Sequence, residues 1–227
     1  MKNNCIDIIR LLIDFHNLNS GKFTLIEHSV GINWRVANRS TISKITNIEE
    51  GLIQHKPIQE IIISGKDIIN ASFNPSSILL VKENVISLSS KIKLKRKTHH
   101  LAIMNLHPDD DINYTMMLKM LRVVTNYMPG YLLKSGRYYH FYGNDLLNMK
   151  QWHKFMAQFL MPTLIVSPRY IGHCIYRGYA ALRLTTNNDF KPHCPDLCDI
   201  LKNGKNKLYN KTHNQLFHPT AFSKQHR

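Results

Sequence analysis

The hydrophobic and polar positions of the first ninety residues predict one helix followed by short strands. In residues 5–15 the apolar side chains recur at the spacing of one helix face. Residues 61–63 and 78–81 are short apolar runs bounded by Ser, Gly, Asn and Pro, so each predicts a strand. The Lys82-Glu83-Asn84 segment predicts a hairpin turn that leads from the second run into a strand at residues 85–88.

The pattern from residue 90 to residue 104 predicts extended chain. Lysines alternate with Ile92 and Leu94, so an extended backbone would place the charges on one face and the apolar side chains on the other. The apolar run at residues 101–104 then predicts a buried strand.

Two amphipathic helices are predicted in the second half, one on each side of a strand, turn and strand. Residues 112–128 have apolar side chains at helical spacing, and Pro129-Gly130 ends the pattern. Residues 146–161 repeat it, and Pro162 closes the second helix. Residues 134–143 read KSGRYYHFYG, which predicts a glycine-containing turn followed by a strand. A short buried strand is predicted at residues 163–166.

Composition and charge then narrow the class of protein. With 227 residues, 43% of them apolar, the chain can bury the core of one domain or of two small modules. Thirty Lys and Arg against fifteen Asp and Glu give a formal charge of +15, which predicts an anionic partner. DNA or RNA is the first candidate, and a solubility surface or a bias toward Lys, Asn and Ile is the alternative. The densest basic run is predicted to bind nucleic acid: Lys91, Lys93, Lys95, Arg96 and Lys97.

Other features exclude some classes and leave one metal hypothesis open. Neither a membrane-length apolar run nor a secretory signal is present, so we expect a soluble, cytoplasmic protein with no membrane partner and with reduced thiols. His193, Cys194 and Cys198 could supply three zinc ligands, with Cys174 or His213 as a fourth. The single Cys-x3-Cys spacing has no second pair, so ordinary thiols are the alternative to zinc.

The order of elements from His99 to Thr186 carries a resemblance to a known family. A strand, a helix, a strand-turn-strand with the residues SG followed by His140, a second helix and the segment RGYAALRLT follow one another. In this order they resemble the catalytic core of the archaeo-eukaryotic primase superfamily, and in particular the primase-polymerases. The resemblance implies an α+β fold, with an RRM-like sheet flanked by helices and an N-terminal β-rich module. The predicted units are residues 1–90, a core at 91–190 and a basic, loosely ordered tail at 191–227.

The resemblance also implies a role for individual residues. Such a site holds two Mg²⁺ or Mn²⁺ ions between carboxylates, which stabilise the attacking and leaving oxygens. The turn residues Ser135, Gly136 and Arg137, together with Arg183, would bind the triphosphate, and His140 would act in catalysis. At the three metal-ligand positions this chain has neutral residues: Asn105, His107 and Ser167. These side chains cannot balance two divalent ions as three carboxylates can.

Three aspartates close to the first strand leave two interpretations open. Asp109, Asp110 and Asp111 precede the helix predicted at residues 112–128, where an aspartate commonly caps the helix N-terminus. Alternatively, Asp109 and Asp111 take a catalytic, metal-binding role. For His140 the alternative is a packed strand histidine, and for Arg183 it is a solvent-facing side chain.

These observations lead to one main hypothesis and two alternatives. The main hypothesis is a divergent primase-polymerase-like protein that binds nucleic acid and a nucleoside triphosphate, with metal-dependent nucleotidyl transfer weakened or lost. The first alternative is an active primase or polymerase that uses Asp109 to Asp111. The second is a basic scaffold for a protein partner whose identity the sequence does not indicate.

Overall fold

The computed structural model describes residues 4–28, 57–82, 84–186 and 193–202, and these form five α-helices, one short 3-10 helix and eight strands. The helices are α1 (Cys5–Phe15), α2 (Gly65–Ile69), α3 (Tyr114–Val124), α4 (Met149–Leu160) and α5 (Pro168–Arg177), and the 3-10 helix is Pro75–Ile78. The strands are β1 (Lys22–His28), β2 (Gln59–Ser64), β3 (Val85–Leu94), β4 (Lys97–Leu106), β5 (Gly130–Ser135), β6 (Tyr138–Leu147), β7 (Ala181–Arg183) and β8 (Asp196–Leu201).

All eight strands belong to one antiparallel sheet. The order is β2-β1-β3-β4-β6-β5-β8, and β7 pairs with β3. The second half of β3 pairs with β4, and its first half pairs with β7, so that Ser87 lies opposite Arg183. The α+β class predicted from the sequence is confirmed, and the sheet contains the strands that carry most of the predicted site.

Polar side chains at the helix starts explain where the helices begin. Asn4, Ser64 and Asn148 each form a capping box with the residue three positions later. The side chain of Asn113 accepts the backbone N–H of Met116 at the start of α3. The expectation that an aspartate caps this helix is therefore wrong, because Asn113 takes the capping position.

The core is continuous from α1 to β8. The buried face of α4 consists of Trp152, Phe155, Met156 and Phe159, and the Trp152 ring stacks on the His100 ring of β4 at 4.6 Å between centroids. Helix α1 buries Cys5, Ile8, Ile9, Leu12 and Ile13 in the same cluster. The described part of the chain contains no helix with the length and apolar character needed to cross a membrane.

Two of the predicted strands have a different structure. Residues 78–81 end the 3-10 helix and enter bends, because the backbone N–H groups of Leu80 and Val81 donate to the buried carboxylate of Glu27. Residues 163–166 are not assigned as a strand, although Leu164 and Ile165 accept backbone hydrogen bonds from the chain that follows β4.

The unit boundaries predicted from the sequence, at residues 90 and 190, can be compared with this sheet. The boundary at residue 90 lies inside β3, and β1 and β2 continue the same sheet on the N-terminal side. Residues 196–201 differ from the predicted loose tail, since they form β8 and pair with residues 130–134 of β5. Residues 203–227 lie outside the described part of the chain.

Candidate functional site

Two adjoining clefts lie where β4 ends and the chain continues into Pro108. They have volumes of about 360 Å³ and 200 Å³. The two clefts share Pro108, Asp109, Asp110, Arg137 and Tyr138. The larger one is completed by His107, Thr163, Val166, Ser167 and Pro168, and the smaller one by Ile112, Tyr114, Met117 and Tyr139. We refer to both together as the β4 cleft.

Backbone hydrogen bonds hold one wall of the β4 cleft. The N–H of His107 donates to the carbonyl of Ile165 at 2.8 Å, and the N–H of Asp109 donates to the carbonyl of Leu164 at 3.0 Å. This pairing brings Ser167 to the cleft that His107 lines. Ser167 is the N-cap residue of α5, and its side chain makes no capping hydrogen bond. The structure thus brings two of the three predicted metal-ligand positions into one cleft.

The turn between β5 and β6 contributes Arg137 and Tyr138 to the β4 cleft. Gly136 has a φ of +68°, a left-handed conformation that side chains disfavour and glycine adopts freely. The exposed Arg137 donates to the Tyr138 hydroxyl at 2.6 Å, and its guanidinium lies 5.0 Å from the centre of that ring. This hydrogen bond raises the pKa of Arg137, and the Asp110 carboxylate adds to the shift. The Tyr138 ring stacks on the His107 ring, with 3.8 Å between centroids and 12° between planes.

His140 lies deeper, in a row of residues that crosses three strands. It pairs with Asn105 of β4 and with Leu133 of β5, and directly opposed residues project from the same face of a sheet. Tyr138 is two residues nearer the cleft, so His140 lies about 7 Å along the strand from the cleft wall. Its side chain is 4% exposed and lines neither of the two described clefts.

Arg183 is buried, and its guanidinium donates to protein acceptors. One terminal nitrogen donates to the carbonyls of Thr185 and His193, the latter at 3.1 Å, and the other donates to the Ser135 hydroxyl at 3.0 Å. Burial lowers the pKa of Arg183. The alternative that Arg183 faces solvent is therefore wrong. Two of the predicted phosphate-binding residues, Ser135 and Arg183, are in direct contact.

A comparison with protein families agrees with this arrangement of elements. The model of the archaeo-eukaryotic primase 1D-like family, an AEP-like family, matches residues 64–196, which is more than half of the chain. The chain belongs to this family. No curated protein and no solved structure gives a significant match. The matched region contains the β4 cleft and all strands except β1, most of β2 and most of β8.

The acidic residues near the cleft differ from those that the primase resemblance implies. Asp109 and Asp110 line the cleft and are exposed, whereas Asp111 lines neither of the two described clefts. Asn105, His107 and Ser167 offer an amide, an imidazole and a hydroxyl. Two hard divalent cations need carboxylate oxygens, so the residues at the primase metal positions do not fit a pair of Mg²⁺ or Mn²⁺ ions.

The described residues form no cluster of metal ligands: no group of three or more of their His, Cys, Asp or Glu side chains is arranged to hold a metal ion. His193, Cys194 and Cys198 lie within the described residues, and His213 lies outside them. The structure shows Cys198 donating through its thiol to the carbonyl of Leu132 at 3.2 Å.

The basic run predicted to bind nucleic acid lies at the other end of β4. Residues 91–97 form the hairpin between β3 and β4, whose turn is Lys95-Arg96. We call this segment, together with Lys22 of β1, the basic hairpin. β4 has ten residues from Lys97 to Leu106, which separates the hairpin from the cleft by about 30 Å.

Sequence reasoning missed two features of the β4 cleft. Asp110 belongs to the aspartate run considered for an active enzyme, but only Asp109 and Asp111 were selected individually as catalytic residues, although Asp110 lines both clefts together with Arg137. The stacking of Tyr138 on His107 was not foreseen either. The sequence did indicate where Tyr138 lies, because a tyrosine directly after a glycine-containing turn must lie at the end of its strand. Its stacking partner, however, depends on the register between β4 and β6.

Proposed function

We propose that this chain is a divergent primase-polymerase-like protein that binds nucleic acid and a nucleoside triphosphate, with metal-dependent nucleotidyl transfer weakened or lost. The observation that carries the proposal is the content of the β4 cleft. The cleft has an exposed guanidinium and a stacked aromatic pair, while His107 and Ser167, at metal positions that the resemblance implies, carry no carboxylate. The binding half of such a site needs no carboxylate, so it can persist when the metal-binding half is lost.

Arg137 is the cation best placed to hold a phosphate. It is exposed on the cleft wall, and a guanidinium can donate two parallel hydrogen bonds to a phosphate group. Its present acceptor is the phenolic hydroxyl of Tyr138, and an anionic phosphate oxygen is a stronger acceptor than a hydroxyl. The half-buried Tyr138 and His107 pair lines the larger cleft and offers an aromatic surface for a base or sugar.

An active enzyme remains the second candidate, and one observation favours it. Asp109 and Asp110 line the same cleft as Arg137, His107 and Ser167, so two carboxylates are close to the primase metal positions. Asp111, which the sequence also selected, lies outside both described clefts. This candidate therefore rests on Asp109 and Asp110.

Calorimetric titration with a nucleoside triphosphate tests the proposed binding function. We expect Arg137→Gln to weaken binding roughly tenfold or more, because it removes a hydrogen bond between charged groups. Arg122→Gln is the matched control: Arg122 is also exposed, lies on α3 and lines neither cleft, so its loss should leave the affinity near that of the unmodified protein. Equal affinity in both variants, or no binding by the unmodified protein, would contradict the proposal.

A further inference from the structure

The basic hairpin presents six positive charges on two adjacent strand pairs. Lys93, Lys95, Arg96, Lys97 and Lys22 are exposed, and Lys91 is half-buried. The apolar residues of the same segment point inward, since Ile92 is buried and Leu94 packs against the core. None of the exposed large apolar side chains in the described residues lies between residues 85 and 106. The surface is therefore cationic and lacks an apolar anchor for insertion into a lipid layer.

The charges of the basic hairpin are not neutralised within the described part of the chain. Lys22 lies directly opposite Lys93 in the β1–β3 pair, and like charges in that position destabilise a strand pair. The next residue across from Lys93, on β4, is Thr98. No ion pair joins any of the six basic side chains to a described acidic residue.

A buried histidine close to the hairpin is affected by this charge. His100 stacks on Trp152, and burial together with the nearby Lys91 lowers its pKa to about 4. In the hairpin itself, the opposed Lys22 and Lys93 repel each other. An external polyanion would relieve this repulsion by releasing its counterions.

We propose that the basic hairpin is a docking surface for the phosphate backbone of a polynucleotide, separate from the β4 cleft. This inference rests on the proposed function, because it names a second surface for the nucleic acid that the cleft serves. The two surfaces are about 30 Å apart along β4. One strand of a duplex advances 3.4 Å per nucleotide, so a duplex of about nine base pairs spans the distance. The hairpin reads no base sequence and contributes affinity through charge alone.

The salt dependence of binding to a 20-base-pair duplex tests the docking surface. The hairpin variant carries Lys93→Gln, Lys95→Gln, Arg96→Gln and Lys97→Gln. The control variant carries four exposed changes elsewhere: Lys66→Gln, Lys82→Gln, Lys119→Gln and Arg122→Gln. Each phosphate contact adds about 0.9 to the slope of log affinity against log salt, so the hairpin variant should lose about 3 to 4 from the slope. The control should lose less than about 1.

Two further measurements show whether a negative result concerns the docking surface alone or also the proposed triphosphate binding. Nucleoside triphosphate binding, measured by calorimetry, should be the same in the hairpin variant and in the unmodified protein, because the triphosphate occupies the cleft. An equal loss of slope in the hairpin and control variants would overturn the inference while leaving triphosphate binding intact. Vesicles with about 30% phosphatidylserine test the other anionic surface. Vesicle binding that the hairpin variant loses, with an unchanged duplex slope, would also overturn it.

Discussion

Replacing Arg183 by methionine should destabilise the fold, although the family resemblance implies a ligand-binding role for this residue. Arg183 is 9% exposed, and its guanidinium donates to Thr185, His193 and Ser135. Methionine keeps an unbranched, apolar side chain but has no donor, so the Ser135 hydroxyl and two carbonyls lose their partner. Hydrogen bonds to charged groups contribute about 1.5–3 kcal/mol each. Part of this is offset because the buried charge itself is removed.

The net cost expected for Arg183→Met is about 2–4 kcal/mol. For a protein of this length, 1 kcal/mol corresponds to roughly 2–4 °C in Tm, so the melting temperature should fall by roughly 4–16 °C. Urea unfolding followed by circular dichroism measures the free energy directly. Arg122→Met, at an exposed position of α3, is the control and should change stability by less than about 0.5 kcal/mol.

A double-mutant cycle with Ser135→Ala isolates one of the three contacts. The two residues are 48 positions apart and are joined by a hydrogen bond of 3.0 Å, so we expect a coupling free energy of about 1 kcal/mol or more. Zero coupling, together with unchanged stability in Arg183→Met, would refute the structural role. If that stable variant also lost triphosphate binding, Arg183 would act on the ligand as the resemblance implies.

Two other predictions concern stability. Lys95 has a φ of 54°, a conformation that glycine adopts at lower cost than lysine, so Lys95→Gly should stabilise the fold by about 1 kcal/mol in urea unfolding. The same change should weaken duplex binding. A glycine variant that is less stable than the unmodified protein would contradict the predicted stabilisation. Burial raises the pKa of Glu27, but hydrogen bonds from Asn84, Leu80, Gln59 and Val81 outweigh it, so the folded pKa is lowered. The ionised Glu27 should therefore stabilise the fold above the usual Glu pKa, and this stabilisation should be lost as pH falls through the folded pKa. Glu27→Gln should be less stable at pH 7 and should lack this acid-dependent loss. Parallel curves of unfolding free energy against pH for the variant and the unmodified protein would contradict this prediction.

The local sequence pattern was sufficient to predict those elements whose structure depends only on neighbouring residues. The alternation of lysines with Ile92 and Leu94 predicted extended chain, which holds up to Leu94 at the end of β3. The Lys95-Arg96 turn, which the alternation did not predict, interrupts the extended run before β4. The glycine of the segment KSGRYYHFYG predicted the turn, and Gly136 has the positive φ that favours glycine. In these cases the neighbours along the chain carry the physical cause.

The features that sequence reasoning missed depend on distant residues. Residues 78–81 look like a strand, but the buried carboxylate of Glu27, more than 50 positions earlier, binds the backbone of Leu80 and Val81. Arg183 alternates with leucines and so suggests a solvent-facing side chain. It is buried because its acceptors, Ser135 and His193, come from β5 and from the segment before β8.

The residues of the β4 cleft were predicted only in part, because some of their contacts also depend on distant residues. The positions of His107 and Ser167 followed from the order of elements, and the structure places both in one cleft. The expectation that an aspartate caps the helix was wrong, because a cap depends on where the helix starts, and Asn113 takes the capping position. The stacking of Tyr138 on His107 needs the register of β6 on β4, which local sequence does not contain.

Template-directed synthesis tests the central claim most directly. The purified protein is incubated with Mg²⁺ or Mn²⁺, labelled nucleotides and a single-stranded template, and the same preparation is titrated with a nucleoside triphosphate by calorimetry. We predict triphosphate binding with little or no product, because Asn105, His107 and Ser167 stand where the primase resemblance implies carboxylates. Robust synthesis that Asp109→Asn or Asp110→Asn abolishes would contradict this account and establish an active enzyme.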